Sequence, residues 1–305
     1  MGNIICFDIG GTYIKYAAVT NTGDILFKDK IASPCEDCRI NIPKVLSSKI
    51  LKLKDKYDLS SVGISTAGQV DSENGIVVSA CDNLPDYSGA RLSMDIGNMT
   101  GLKVYVENDA NAAALGEMWK GAAKGVQTFV CITIGTGIGG AIIIDGKLYK
   151  GIKGGAGEIG HMIINENGEP CTCGSRGCFE RYASTQAFVR RYICQSQKNG
   201  HTVDHIDGEE IMKRVREGQK LAISVYDEFL NHLVSGLVSL TYLLDPGLIV
   251  IGGGISAQGR PFFDEIERRF KQRVMPSYFE HTRIVQAVLE NDAGIYGACY
   301  VALHR

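Results

Sequence analysis

The chain has 305 residues, 45% of them hydrophobic and 22% charged, which excludes a disordered tail or a disulfide-stapled miniprotein and allows one or two domains with real cores. Lys+Arg 32 against Asp+Glu 34 leaves a formal net charge of -2, so no basic excess supports a nucleic-acid footprint or an anionic-membrane surface. Two surpluses need a cause: 37 glycines, about 12% where roughly 7% is usual, and ten cysteines.

Met1-Gly2-Asn3 leads straight into Ile4-Ile5-Cys6-Phe7, without a basic segment or a small-residue cleavage site, so a cytoplasmic protein with reduced thiols is expected. β-branched and aromatic residues predict strands over 3–7 and 13–19, around the turn Asp8-Ile9-Gly10-Gly11-Thr12, and a third over 24–31. Ile42, Val45, Leu46, Ile50 and Leu53 are spaced for a helix over 41–56. Strands over 61–65 and 75–79 follow, then an amphipathic segment over 90–100. Strand Val104-Tyr105-Val106-Glu107 runs into Asn108-Asp109, which open an alanine-rich helix over 110–120. The uncharged stretch between Lys124 and Asp145 is interrupted by Gly135 to Gly140, which favours two buried strands, 128–134 and 141–144, over a membrane helix.

This strand, glycine turn and return strand repeat the pattern of residues 4–19 about 125 positions later, as duplicated halves would. A nucleotide held between two glycine turns is the corollary. Helices are predicted over 184–196, 207–217 and 219–243, a buried strand over 248–251 that ends in Gly252-Gly253-Gly254, and a last helix over 292–304. Alternating strands and helices make the chain α/β. The expected division is a small N-terminal domain, 1–120, to which the helix 292–305 returns, and a large domain, 121–291, with a metal-binding loop at 157–180.

Glycine turns after apolar strands let backbone N–H groups approach phosphate oxygens. Three occur, at Gly10-Gly11, Gly135-Thr136-Gly137-Ile138-Gly139-Gly140 and Gly252-Gly253-Gly254. The middle one matches a dinucleotide fingerprint in spelling, but strand rather than helix follows it, so that reading fails. His161, Cys171, Cys173 and Cys178 lie within 18 residues, with Gly174 and Gly177 between them. They supply a closed tetrahedral zinc site, structural because no ligand position stays open. Cys35-x-x-Cys38 is only half a site and reads as surface thiols. Asp109 has two readings: it caps the helix that it precedes, or it is a general base at a strand end.

Taken together, these motifs resemble the ROK family of sugar kinases and related regulators: Asp8-Ile9-Gly10-Gly11-Thr12, Glu107-Asn108-Asp109-Ala110-Asn111, Gly135 to Gly140, Gly157-Glu158-Ile159-Gly160-His161, and Cys171-x-Cys173-Gly174-x-x-Gly177-Cys178-x-Glu180. The resemblance spans the chain and implies the two-domain actin/hexokinase-like ATPase fold. It makes Asp109 the base that deprotonates a sugar hydroxyl attacking the γ-phosphate of ATP. It places Asn83, Asn108, Glu158, His161 and Glu180 on sugar hydroxyls, with His161 also on zinc. Gly10, Gly11, Thr12, Gly135, Thr136, Gly137 and Gly139 match phosphate turns, Gly252, Gly253 and Gly254 the nucleoside side, Asp8 an outer ligand of Mg2+, and Lys15 a phosphate contact or an exposed strand lysine. A homodimer or homotetramer is implied, with sugar and ATP as partners and neither nucleic acid nor membrane. Gly63-Ile64-Ser65-Thr66-Ala67-Gly68 lacks the proline of many glucokinase-like members and is similar to N-acetylmannosamine kinases, so glucose, N-acetylmannosamine and N-acetylglucosamine stay open. The alternatives are a repressor, which carries a helix-turn-helix domain ahead of this part, and a catalytically inactive sugar sensor.

Overall fold

Successive side chains of strand β1 (Asn3–Ile9) point to opposite faces, and each face meets its own partners. Ile5, Phe7 and Ile9 join Ile42, Leu46 and Ile50 of helix α1 (Cys38–Leu53) and Ile96 of α2 (Leu92–Thr100) in one core. Ile4 and Cys6, on the other face, pack against Ile295, Ala298 and Cys299 of the last helix, α10 (Ala293–His304). In this computed structural model, which describes residues 2–80, 83–203 and 205–305, β1 is the middle strand of a five-stranded sheet. Its neighbours are β2 (Tyr13–Val19), β3 (Ile25–Ala32), β4 (Leu59–Thr66) and β7 (Lys103–Asn108), in the order β3-β2-β1-β4-β7. A separate ribbon pairs β5 (Gln69–Asp71) with β6 (Ile76–Ser79).

Helix α3 (Asp109–Lys120) and α10 approach backbone to backbone. A Cβ on Gly297 would lie 1.8 Å from the Ala112 carbonyl oxygen, and one on Gly116 2.5 Å from that of Ala293. The alanine-rich run in α3 is therefore a packing requirement, because larger side chains would hold the two helices apart.

A second five-stranded sheet has the order β10-β9-β8-β11-β12, formed by β8 (Phe129–Ile134), β9 (Ile138–Ile144), β10 (Lys147–Leu148), β11 (Leu248–Gly252) and β12 (Arg283–Gln286). In each sheet the first strand in sequence is central and runs parallel to the fourth in the row, which runs parallel to the fifth. The two sheets are thus the same pattern twice, as the repeated turn in the sequence suggests. Helices α4 (Glu180–Ala183), α5 (Thr185–Lys198), α6 (Gly208–Arg216), α7 (Lys220–Leu244), α8 (Arg260–Lys271) and α9 (Pro276–Phe279) complete the chain. Val225, Phe229, Leu233, Leu237 and Leu240 form the buried stripe of α7. The residues divide into two compact units, Met1–Gln127 with Ile142–Ala156 and Val288–Arg305, and Thr128–Ala141 with Gly157–Ala287.

Three differences from the sequence expectations have local causes. Helix α1 begins at Cys38, which is buried with its thiol on the Pro34 carbonyl at 3.2 Å, so it is not a surface thiol. Strand β9 begins at Ile138, earlier than expected. Gly139 and Gly140 therefore lie in the strand, where a Cβ on Gly140 would lie 2.5 Å from Ile159. Segment 260–286 carried no expectation, yet Phe262, Phe263, Ile266 and Phe270 of α8 are buried at helical spacing behind Pro261. Among the described residues, no helix is long and apolar enough to cross a membrane.

Candidate active site and metal centre

In the first unit, sheet register assembles the surroundings of Asp8. Its cross-strand neighbours are Lys15 on β2 and Ser65 on β4. Ser65 donates to Asp8 Oδ1 at 2.8 Å and Lys15 Nζ lies 3.4 Å from Oδ2, while Lys15 also donates to the Asn291 carbonyl at 3.1 Å. Gly294, near the start of α10, leaves the space that Asp8 fills, since a Cβ there would sit 2.5 Å from Oδ1. The following turn is closed by Gly10 N–H on the Tyr13 carbonyl at 3.1 Å and braced by Ser33, whose hydroxyl donates to the Gly10 carbonyl at 2.6 Å. Gly11 and Thr12 are exposed at its tip, with Gly11 so close to Asn83 that a Cβ would meet the Asn83 Cβ at 2.7 Å.

At the corner from β7 into α3, Asn108 rather than Asp109 is the cap. Its side-chain oxygen accepts from Asn111 N–H at 3.1 Å, and its amide donates to the Gly68 carbonyl and to Asp109 Oδ1, both at 2.9 Å. Asp109 Oδ1 also accepts from Ala110 N–H at 2.9 Å, so Oδ2 has no hydrogen-bond partner among the described residues. Asp109 is exposed at this corner. Desolvation, first, and the negative charge of Asp8 push its pKa up to about 6, against the hydrogen bonds from Ala110 and Asn108. Such a carboxylate is ionised at neutral pH and basic enough to accept a proton.

The end of β4 points its polar side chains inward. Ser65 is engaged with Asp8, and the Thr66 hydroxyl is buried 3.1 Å from the hydroxyl of the fully buried Tyr87. The Ser-Thr pair therefore braces the core, and its spelling carries no argument about the sugar.

In the second unit, Glu158 is exposed just before a single 3-10 turn, Ile159–His161. Gly160 lets this turn lie on β9, because a Cβ would come 2.2 Å from the Ile138 carbonyl oxygen. His161 Nδ1 is 3.7 Å from Cys171 Sγ, and Cys173 Sγ is 3.6 Å from Cys178 Sγ. All four donor atoms lie within 4.8 Å of one another. Tetrahedral zinc with Zn–S near 2.3 Å and Zn–N near 2.05 Å requires S···S of about 3.8 Å and S···N of about 3.6 Å, so the set fits the ion. Burial raises the Cys171 and Cys178 thiols, the latter to about 12, a cost that a bound cation would offset.

Glu180 connects this cluster to a glycine turn within the same unit. Its Oε1 lies 3.2 Å from Cys171 Sγ and 3.8 Å from His161 Nδ1, while Oε2 occupies the space that a Cβ on Gly137 would need, 2.6 Å away. Gly135 N–H donates to the Gly137 carbonyl at 3.0 Å, and Thr185 N–H, at the start of α5, donates to the Gly135 carbonyl at 2.9 Å. Thr136 is exposed at the tip of this turn, Gly139 lies in β9, and Gly252 ends β11. Gly253 has φ 91 and no room for a Cβ beside the Ile134 carbonyl oxygen, 2.1 Å away, and Gly254 opens a 3-10 turn.

The first unit thus gathers Asp8, Lys15, Gly10 to Thr12, Asn83, Asn108 and Asp109, and the second Gly135 to Gly139, Glu158, His161, Glu180, the three cysteines and Gly252 to Gly254. Sequence reasoning gave no role to Ser65, Glu107, Lys150 or Arg305. Glu107 and Ser65 stand inside quoted motifs; Lys150 and Arg305 carry no local signal, since only folding brings them to their partners.

The ROK family description matches residues 4–305. The chain is 33% identical to a glucokinase of Thermotoga maritima, covering 99% of this chain and 98% of that one. It is 29% identical to an N-acetyl-D-glucosamine kinase of Vibrio cholerae, covering 97% and 98%. The crystal structure of a ROK family glucokinase from Streptomyces griseus in complex with glucose and AMPPNP matches with a TM-score of 0.85 at 35% identity, covering 99% of each chain. The architecture, two sheets of one order, is the actin/hexokinase-like fold.

Proposed function

The chain belongs to the ROK family, and from that premise we propose that it is an ATP-dependent sugar kinase acting on the 6-hydroxyl of a hexose. The observation that carries this reading is Asp109 itself, one oxygen fixed by Asn108 and Ala110 and the other without a hydrogen-bond partner among the described residues, with a pKa pushed up to about 6. Its role is to take the proton of the 6-hydroxyl while that oxygen attacks the γ-phosphorus of ATP. The new O–P bond forms, the bond from the γ-phosphorus to the bridging oxygen breaks, and ADP leaves with that oxygen. The proton passes from Asp109 to solvent.

Phosphoryl transfer asks mainly for alignment and charge stabilisation. In this reading Asn83, Asn108, Glu158, His161 and Glu180 hold the sugar hydroxyls. Gly10, Gly11, Thr12, Lys15, Gly135, Thr136, Gly137 and Gly139 serve the phosphates, and Gly252, Gly253 and Gly254 the nucleoside. When bound, Mg2+ neutralises phosphate charge; Asp8 is the carboxylate suited to it, a hard oxygen donor near Asp109 with Lys15 3.4 Å away. Zinc in the four-ligand set is structural. With Nδ1 of His161 on the metal side, Nε2 is left for the sugar.

The names of the relatives support glucose, at 33% identity, more than an N-acetylhexosamine, at 29%. The test is ADP release with glucose, N-acetylmannosamine, N-acetylglucosamine and fructose, on the parent chain and on Asp109→Asn. The parent should turn over at least one sugar, and the variant should bind that sugar while kcat falls at least about 100-fold. A variant kcat within about tenfold of the parent would remove Asp109 as the base, and no turnover with any sugar would favour a sensor.

A further inference from the structure

Glu107, immediately before the Asn108-Asp109 pair, is a carboxylate 1% exposed. Five donors converge on it. Oε1 accepts from the Ser72 hydroxyl at 3.0 Å, the Asn111 amide at 3.1 Å and the Asn108 N–H at 3.2 Å. Oε2 accepts from Lys150 Nζ at 2.6 Å and Arg305 Nη2 at 2.8 Å. Burying a charge is costly unless it is paired and hydrogen-bonded, and a core could be filled more cheaply with an apolar side chain. What this arrangement adds is direction. Asn108 and Asn111 are the cap and the capped residue of α3, so the carboxylate grips both ends of the turn that presents Asp109. Lys150 heads a segment with positive φ at Gly151, Gly154 and Gly157, which runs on in sequence to Glu158. The ion pair anchors the start of that segment.

We propose that Glu107 is a positioning residue for phosphoryl transfer, its carboxylate holding the Asn108-Asp109 turn in place with Lys150 and Arg305 as clamps. This rests on the reading of Asp109 as base. Orientation matters because an error of about 1 Å in a reacting group can cost roughly 100-fold in rate.

The test compares Glu107→Gln with the parent and with Asp109→Asn, using ATP and the sugar with the highest kcat/KM. Calorimetric sugar-binding stoichiometry sets the concentration of folded protein, so unfolded chains do not enter kcat. The glutamine keeps the volume and the acceptor for Ser72 but turns a donor toward Lys150 and Arg305. Expected is a kcat loss of about tenfold to 100-fold with the sugar KM within about threefold, the mark of an interaction that acts in the transition state. A kcat within about threefold of the parent, or kcat and KM degraded together, overturns the proposal. If Glu107→Gln does not fold, Lys150→Met decides: it removes one clamp, and kcat should fall about threefold at constant KM, whereas an unchanged kcat overturns the proposal. An active Asp109→Asn removes the base reading; an inactive one beside a fully active Glu107→Gln leaves that reading standing and removes only this proposal. No turnover by the parent removes both.

Discussion

At the corner between β7 and α3 a buried carboxylate meets five donors supplied by the chain itself, whereas in the loop from His161 to Cys178 three thiols and an imidazole face one another. The corner is complete as a set of protein groups. The loop gathers four metal-donor atoms, with turns at Gly174 and Gly177 between the cysteines, and a cation would complete it. The difference separates two tasks. In the proposed reading, rate depends on a charge fixed by protein groups, and sugar binding depends on a loop that a bound metal would stiffen.

The largest effect that would sharpen this contrast is expected at the corner. Asp109→Asn should lower kcat at least about 100-fold while sugar affinity by calorimetry changes less than about threefold. At the loop the pattern should reverse: Cys178→Ser, or removal of zinc by a chelator, should lower the bound metal measured by atomic absorption and raise the sugar KM about tenfold or more. Equal KM values with and without metal would break the comparison. Gly297→Ala tests the backing of α3 without touching either site. Its Cβ would meet the Ala112 carbonyl at 1.8 Å, so urea unfolding should show a loss of about 1–3 kcal/mol.

Smaller effects concern protons. With Asp109 at about 6, kcat/KM should fall about tenfold per pH unit below that value and level off above it. The limb should keep its position in metal-depleted protein, because zinc lies outside the groups that set the Asp109 pKa. The stability consequence has a definite sign. A folded-state pKa raised above 3.8 favours the protonated carboxyl, a contribution present below about pH 4 and lost as pH rises through 6. The neutral amide of Asp109→Asn keeps it. The variant should therefore melt higher than the parent at pH 7.5, with the two coinciding at pH 4; a lower Tm at pH 7.5 contradicts the desolvation of Asp109.

Much of this was legible before any coordinates. Runs of β-branched and aromatic residues mark β1 and β2, and the repeat of their glycine turn at Gly135 marks the second sheet, because strand propensity and turn chemistry are local properties. The His161, Cys171, Cys173 and Cys178 set was legible for the same reason: its ligands are close in sequence. Which residue caps α3 was not, since Asn108 and Asp109 are both good caps and only the backbone path into the helix selects between them. That Ser65 and Thr66 turn their hydroxyls toward Asp8 and Tyr87 was not legible either, as nothing local says what the end of β4 faces.

Taken alone, the order of residues determines the α/β alternation, the duplicated strand pattern, the glycine turns and the metal ligands, all set by interactions a few residues apart. Only tertiary structure decided that Glu107 meets Lys150 and Arg305, 43 and 198 positions away, that Gly294 makes room for Asp8 and that Asn108 rather than Asp109 caps α3. Such contacts form because packing closes long loops around apolar cores, and no local propensity encodes them.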